Sequence, residues 1–173
     1  MAVSDFEHLT RAPASLLAHV DERDANIVKE LQTRASNSLV DGLRTNTMER
    51  TIIAVGTIGV FEALLQRRRN WPDAFPELDK DLRRNGRDDL ADRFRDYRDA
   101  INVLKHGEGR SYEQLLARKN QLPFTVKDKG QAFFDEGDVS EITRLVDVDS
   151  IFITRCIDLI DEIKDAIGIT RLG

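Results

Sequence analysis

The chain has almost no cysteine. The single thiol, Cys156, excludes an internal disulfide and a thiolate zinc site, and it points to a reducing compartment. Long apolar runs are missing too: the longest nearly uncharged stretch, Thr51 to Phe61, is about half of the roughly 20 residues needed to span a bilayer. The N-terminal residues Ala2-Val3-Ser4-Asp5-Phe6-Glu7 have no positive start and no apolar stretch of signal-peptide type, so a cytoplasmic location is expected. There is no excess of positive charge. Lys plus Arg number 26 against 31 for Asp plus Glu, a net charge of −5, which argues against broad electrostatic binding to duplex nucleic acid or an anionic membrane and leaves room only for a local basic patch. Also absent are GxxxxGK[ST], GxGxxG, HExxH, an EF-hand loop and GxSxG, which removes nucleoside triphosphate hydrolysis, zinc proteolysis and esterase chemistry from consideration.

What is present is helical patterning in a chain of 173 residues, 40% hydrophobic and 33% charged, a length suited to one domain. Leu16, Leu17, Val20, Ile27, Leu31, Ala35 and Leu39 recur at three- and four-residue steps, broken by Asp24, and predict a helix over 14–40 with Pro13 in its first turn. Gly42 and Arg44-Thr45-Asn46 end it, and Asn46 with Glu49 forms a capping box for a second helix over 47–69. That helix is apolar on every face from Ile52 to Phe61, as for an element surrounded by others. Gly56 and Gly59 within it cost about 1 kcal/mol each against alanine, so close approach of a neighbouring helix is expected there.

After a segment punctuated by Pro72, Pro76 and Gly86, a third main helix is predicted over 88–106 with the stripe Leu90, Phe94, Tyr97, Ile101 and Leu104, ended by Lys105-His106-Gly107. Ser111 and Gln114 read as the capping box of a short helix. Leu122 to Lys127 and Gln131 to Phe134 read as a small hairpin over 122–134. A last helix over 147–168 carries Phe152, Cys156, Leu159, Ile160, Ile163 and Ile167, with Val146 and Ile151 stapling its start. The expected fold class is all-α, a four-helix-bundle-like domain with an inserted hairpin.

Most polar clusters have ordinary structural readings. His8 and His19 lie in polar surroundings, Arg67-Arg68-Arg69 sit where a helix dipole favours cations, and Arg83, Arg84 and Arg87 alternate with aspartates. Asp158, Asp161, Glu162 and Asp165 share a face of the last helix, where Arg155 and Lys164 are available as ion-pair partners. One row differs. Arg98, Asn102 and His106 succeed one another at four-residue steps beside the apolar stripe, with Lys105 adjacent and Arg110 just beyond. Two cations, an amide and an imidazole at a helix end suit a phosphate, and the imidazole can move a proton near neutral pH.

The stretch Asn102-x-x-Lys105-His106-Gly107 at the end of an amphipathic helix, with Phe61-Glu62-Ala63-Leu64-Leu65 in an earlier apolar one, resembles the HEPN superfamily of small helical-bundle proteins. The resemblance implies a metal-independent endoribonuclease that needs no cofactor and dimerises so that two motif helices build one composite site. It also implies a toxin–antitoxin or phage-defence setting with an antitoxin-like protein partner. Asn102 and His106 fall on the motif's polar and histidine positions, while Arg98 stands with seven residues between it and His106, one more than the motif spans. On this resemblance His106 is the proton-transfer group, Arg98 the charge stabiliser and Asn102 the orienting group, with Lys105 and Arg110 as further phosphate contacts. The other expectation that the residues carry is a catalytically inert, dimeric helical interaction module.

Overall fold

A computed structural model describes residues 5–34, 36–130 and 145–169. Its described residues form six helices: α1 (Asp5–Leu31), α2 (Asn37–Arg69), α3 (Ala74–Arg84), α4 (Asp88–His106), α5 (Arg110–Ala117) and α6 (Ser150–Ala166). The fold is all-α. Among the described residues no helix is long and apolar enough to cross a membrane.

The first two helices pair as an antiparallel hairpin, α1 ending at Leu31 and α2 beginning at Asn37, so the break falls about ten residues earlier than the sequence pattern at 42–46 suggests. The polar residues that read as a helix end prove to be partners across the hairpin. Asn46, buried, donates to the Asp24 carboxylate at 2.6 Å and accepts from Arg23 Nε at 3.0 Å, and Glu49 pairs with Arg23. Arg50, also buried, meets Asp21 at 2.6 Å and Asp24 at 2.5 Å, and Ser150 donates to the same Asp21 carboxylate, tying α6 to the pair. Gly42 is a packing position and not a terminator: a Cβ there would stand 2.8 Å from Ile27 Cδ1. At the other end α1 begins at Asp5, so Pro13 lies inside the helix. An interior proline costs about 3 kcal/mol, and burial of Phe6 and Leu9 ahead of it, each worth about 1.5–3 kcal/mol, offsets that cost.

The helix that is surrounded by others is α6, and α2 is not. Phe152, Ile153, Cys156, Ile157, Leu159, Ile160 and Ile163 are all buried where α6 packs on α1, α2 and α4. Its N-cap is Asp149, whose carboxylate accepts from Phe152 N–H at 2.7 Å. The buried flanking pair is therefore Val148 and Ile153, and Ile151 is exposed. By contrast α2 buries one side, Ala54, Ile58, Phe61 and Leu65, and leaves Ile52, Gly56, Gly59 and Val60 in solvent. Among the described residues neither glycine has another group within 4 Å of where its Cβ would stand, so neither serves close approach of a described helix.

Rings knit the bundle. Phe61 meets Phe94 edge-on at 5.8 Å and Phe6 at 6.4 Å, and Tyr97, Phe124 and Phe152 form a second cluster at 5.0–5.2 Å. Of the expected hairpin, the arm Gln131 to Phe134 lies outside the described residues. Among the described ones Val126 pairs instead with Val146 as an isolated antiparallel bridge, with Lys127 N–H to Leu145 O at 2.9 Å and Asp147 N–H to Thr125 O at 3.0 Å. Burial of both valines holds the approach to α6 against the segment that follows α5.

Candidate functional site

The row of polar residues singled out in the sequence lies where α4 ends and α5 begins. Asp88 and Asp89 occupy the first turn of α4 and Lys105 and His106 its last, charges that suit the helix dipole at both ends. Gly107 terminates the helix at φ +74°, a backbone geometry costly for other residues, while its N–H donates to Val103 O at 2.8 Å. The chain turns within three residues, and α5 starts at Arg110 with Gly109 as its N-cap.

A polar network beneath the surface fixes α5 against α4. The carboxylate of Asp99, 2% exposed, accepts from the Ser111 hydroxyl at 3.2 Å and from Arg118 at 3.0 Å. Arg118 also reaches Asp96, with Nε at 3.0 Å and Nη2 at 2.9 Å. Burial pushes the Asp96 carboxyl above the usual carboxylate range, against the pull of Arg118 and Arg95. Asn102 joins the same network by donating to Ser111 Oγ at 3.4 Å. Ser111 is thus not a helix cap: it lies inside α5, and its hydroxyl bridges the two helices. Further along, the buried Tyr112 hydroxyl donates to Lys127 O at 2.8 Å, and Lys129 pairs with Glu108 at 2.7 Å.

Above this frame the candidate residues divide. Asn102 is half-buried with one N–H committed to Ser111, whereas Lys105, His106 and Arg110 are exposed and Arg98 is half-buried. Among the described residues these three cations and the imidazole take part in no hydrogen bond or ion pair, although arginines on the same helix are paired: Arg93 with Glu162, Arg95 with Asp92. Arg98 and His106 are eight residues apart, about 12 Å along the axis at 1.5 Å per residue. A single phosphoryl group therefore does not touch both backbone positions. Lys105 and His106 occupy the last turn of α4 and Arg110 the first of α5, with Arg98 two turns back along α4.

The sequence pattern did not single out Asp99, Ser111 and Arg118 as a bridging unit. Its only trace was a carboxylate spaced to fall beside the buried stripe of α4, a place where an unpaired acid is costly. The acidic face of α6 is an ion-pairing face: Glu162 takes Arg93 in a two-pronged contact at 2.7 and 2.8 Å, which holds its carboxyl below the usual range, and Asp161 meets Lys164 at 2.5 Å. Arg155 bonds instead to Pro123 O at 2.7 Å. Arg83 gathers Asp79, Asp88 and Asp92, and Arg69 reaches the Ile167 carbonyl while lying over the Trp71 ring. His19 meets the Ser15 carbonyl at 2.7 Å, and His8 is exposed on α1. Burial in α6 pushes the Cys156 thiol up to about 12, leaving it a small apolar side chain. Comparisons with protein-family models, with curated proteins and with solved structures find no match to this chain.

Proposed function

We propose that the junction of α4 and α5 is a phosphate-contacting surface for single-stranded RNA, and that His106 is the proton-transfer group of a metal-independent endoribonuclease of the HEPN kind. The observation that carries this reading is an exposed imidazole flanked in sequence by Lys105 and Arg110, with Arg98 two turns along α4, cations that have no ion-pair partner among the described residues of a chain whose net charge is negative. Among the described residues Lys105, Arg110 and Arg98 carry no acidic partner, so an external anion can supply counter-charge to this patch beside the imidazole.

In the proposed step His106 takes the proton of a ribose 2′-OH, whose oxygen attacks the adjacent phosphorus. The P–O5′ bond breaks, the 5′ oxygen is protonated by water, and a 2′,3′-cyclic phosphate remains. Lys105 and Arg110 stabilise the charge that develops on the phosphoryl oxygens. The spacing along α4 gives Arg98 a different task, holding a neighbouring phosphate, while Asn102, steadied by Ser111, orients the chain between them. A toxin–antitoxin or phage-defence setting, with an antitoxin-like partner, is part of the same proposal and rests on the HEPN resemblance alone.

The test is cleavage of end-labelled single-stranded RNA in the presence of a chelator, with the new termini identified chemically. Wild-type protein should cut and leave cyclic phosphate ends, and His106→Ala should not, with its circular dichroism spectrum unchanged. RNA left intact across pH 6 to 8, the range in which a histidine titrates, would overturn the catalytic reading in favour of an inert interaction module.

A further inference from the structure

The other surface that the fold leaves unexplained lies on the far side of α2. At 100° per residue, Ile52, Gly56 and Gly59 fall within about 40° of the line diametrically opposite Phe61. Phe61 is the residue that meets Phe94 of α4, so this face looks away from α4 and its polar row. Four of the six large apolar side chains exposed among the described residues belong to it: Leu16 at 56% and Ile52 at 62%, with Met48 and Val60. Between α1 and α2, Leu16, Ile52 and Val60 line a groove of about 550 Å³ together with Ala12, Pro13 and Gly56. Exposed apolar patches of this kind mark contact surfaces.

We propose that this groove is the interface of a symmetric homodimer in which α2 crosses α2 of a second copy, antiparallel, at Gly56. The order along the stripe is nearly palindromic about that glycine: Met48, Ile52, Gly56, Val60, Ala63. An antiparallel crossing therefore sets Ile52 against the partner's Val60, and Val60 against the partner's Ile52, with glycine at the point of closest approach. Knob and hollow are on the same face, the condition for an isologous interface. The two glycines are unfavourable in a helix interior and meet nothing among the described residues, so a second helix seated on them supplies a packing reason that the described chain lacks.

Size and charge agree. Met48 to Arg67 spans about 29 Å of helix, and two helices side by side are about 20 Å across. The footprint is about 600 Å² in projection, and side-chain relief raises it toward the roughly 800 Å² per partner of a stable complex. Asp5 and Arg67 line one end of the groove and the Arg23–Glu49 pair lies beyond the other, so both signs of charge are present along it. Such a dimer leaves the two His106 surfaces on its outer sides. Each protomer then carries its own site, in place of the composite one that the resemblance implies. The inference stands whether or not the protein cuts RNA.

Sedimentation velocity over a concentration series tests it together with a cross-link. Wild-type protein should reach twice the 19.7 kDa chain mass. Ile52→Glu with Val60→Glu should sediment as a monomer with unchanged helicity, since both side chains are exposed in the single chain. Gly56→Cys should form a disulfide-linked dimer under mild oxidation, because an antiparallel crossing sets residue 56 against its own mate, and the buried Cys156 does not interfere. A wild-type monomer throughout the series, a dimer that survives both charge substitutions, or cross-linking no faster than that of the exposed control Ser38→Cys would each overturn the proposal.

Discussion

Arg118, at the end of α5, holds the buried carboxylate of Asp99 on α4 at 3.0 Å while its Nε reaches Asp96 at 3.0 Å, so one guanidinium neutralises two acids a turn apart. This clamp sets the angle at which α5 leaves α4, and with it the position of Arg110 relative to Lys105 and His106.

Removing the clamp's cation should therefore cost more than removing a surface charge. Arg118→Ala leaves Asp99 buried without its counter-ion beside a second carboxylate, and a loss of about 3 kcal/mol in urea unfolding is expected. The double variant Arg118→Ala with Asp99→Asn should recover part of that loss. If Arg118→Ala falls within about 0.5 kcal/mol of wild type, the network is no more than a surface pair.

Ile101 and Arg98 are neighbours on α4 with opposite environments, the first 4% exposed and the second half-buried outside the stripe. Ile101→Asp places an unpaired acid in the stripe of Phe94, Tyr97 and Leu104 and should cost several kcal/mol, a large share of a typical 5–15 kcal/mol stability. Arg98→Ala should melt close to wild type. Similar thermal midpoints for the two would show that the buried face is misassigned.

The Arg93–Glu162 pair makes a statement about pH. Arg93 holds the Glu162 carboxyl below its unfolded value, so the pair's contribution is present above the ordinary glutamate range and is lost as pH falls through the depressed folded value. Both side chains are nearly half exposed, so the effect is a fraction of 1 kcal/mol. Glu162→Gln should lower the thermal midpoint slightly at neutral pH, and the difference should shrink as acid protonates the wild-type carboxyl. A difference that grows with acid would contradict the assignment.

If the cations around His106 contact RNA phosphates, each should act through counterion release. Lys105→Ala and Arg110→Ala are each expected to weaken binding of single-stranded RNA regardless of sequence and to reduce the slope of log K against log salt by about 0.7. Fluorescence anisotropy across a salt titration measures this. An unchanged slope would remove that residue from the interface.

Some features of this protein are set by local periodicity alone. The all-α class, the extent of α4 and the buried identities of Phe94, Tyr97, Ile101, Phe152 and Cys156 follow from three- and four-residue spacing, because a side chain's place on a helix face depends only on its own element. The polar row at the end of α4 was legible for the same reason. Other features needed the packed structure. Asn46 and Glu49 have the pattern of a helix start, yet they lie inside α2, because Arg23 and Asp24 on a separate helix satisfy them. Gly42 looks like a terminator and is a contact with Ile27. Ile52 and Val60 look buried and are not, since no described element covers that side of α2. A hydrogen-bonding or apolar side chain has the same sequence signature whether its partner is its own backbone, a distant helix or solvent. Tertiary packing decides which of these it meets.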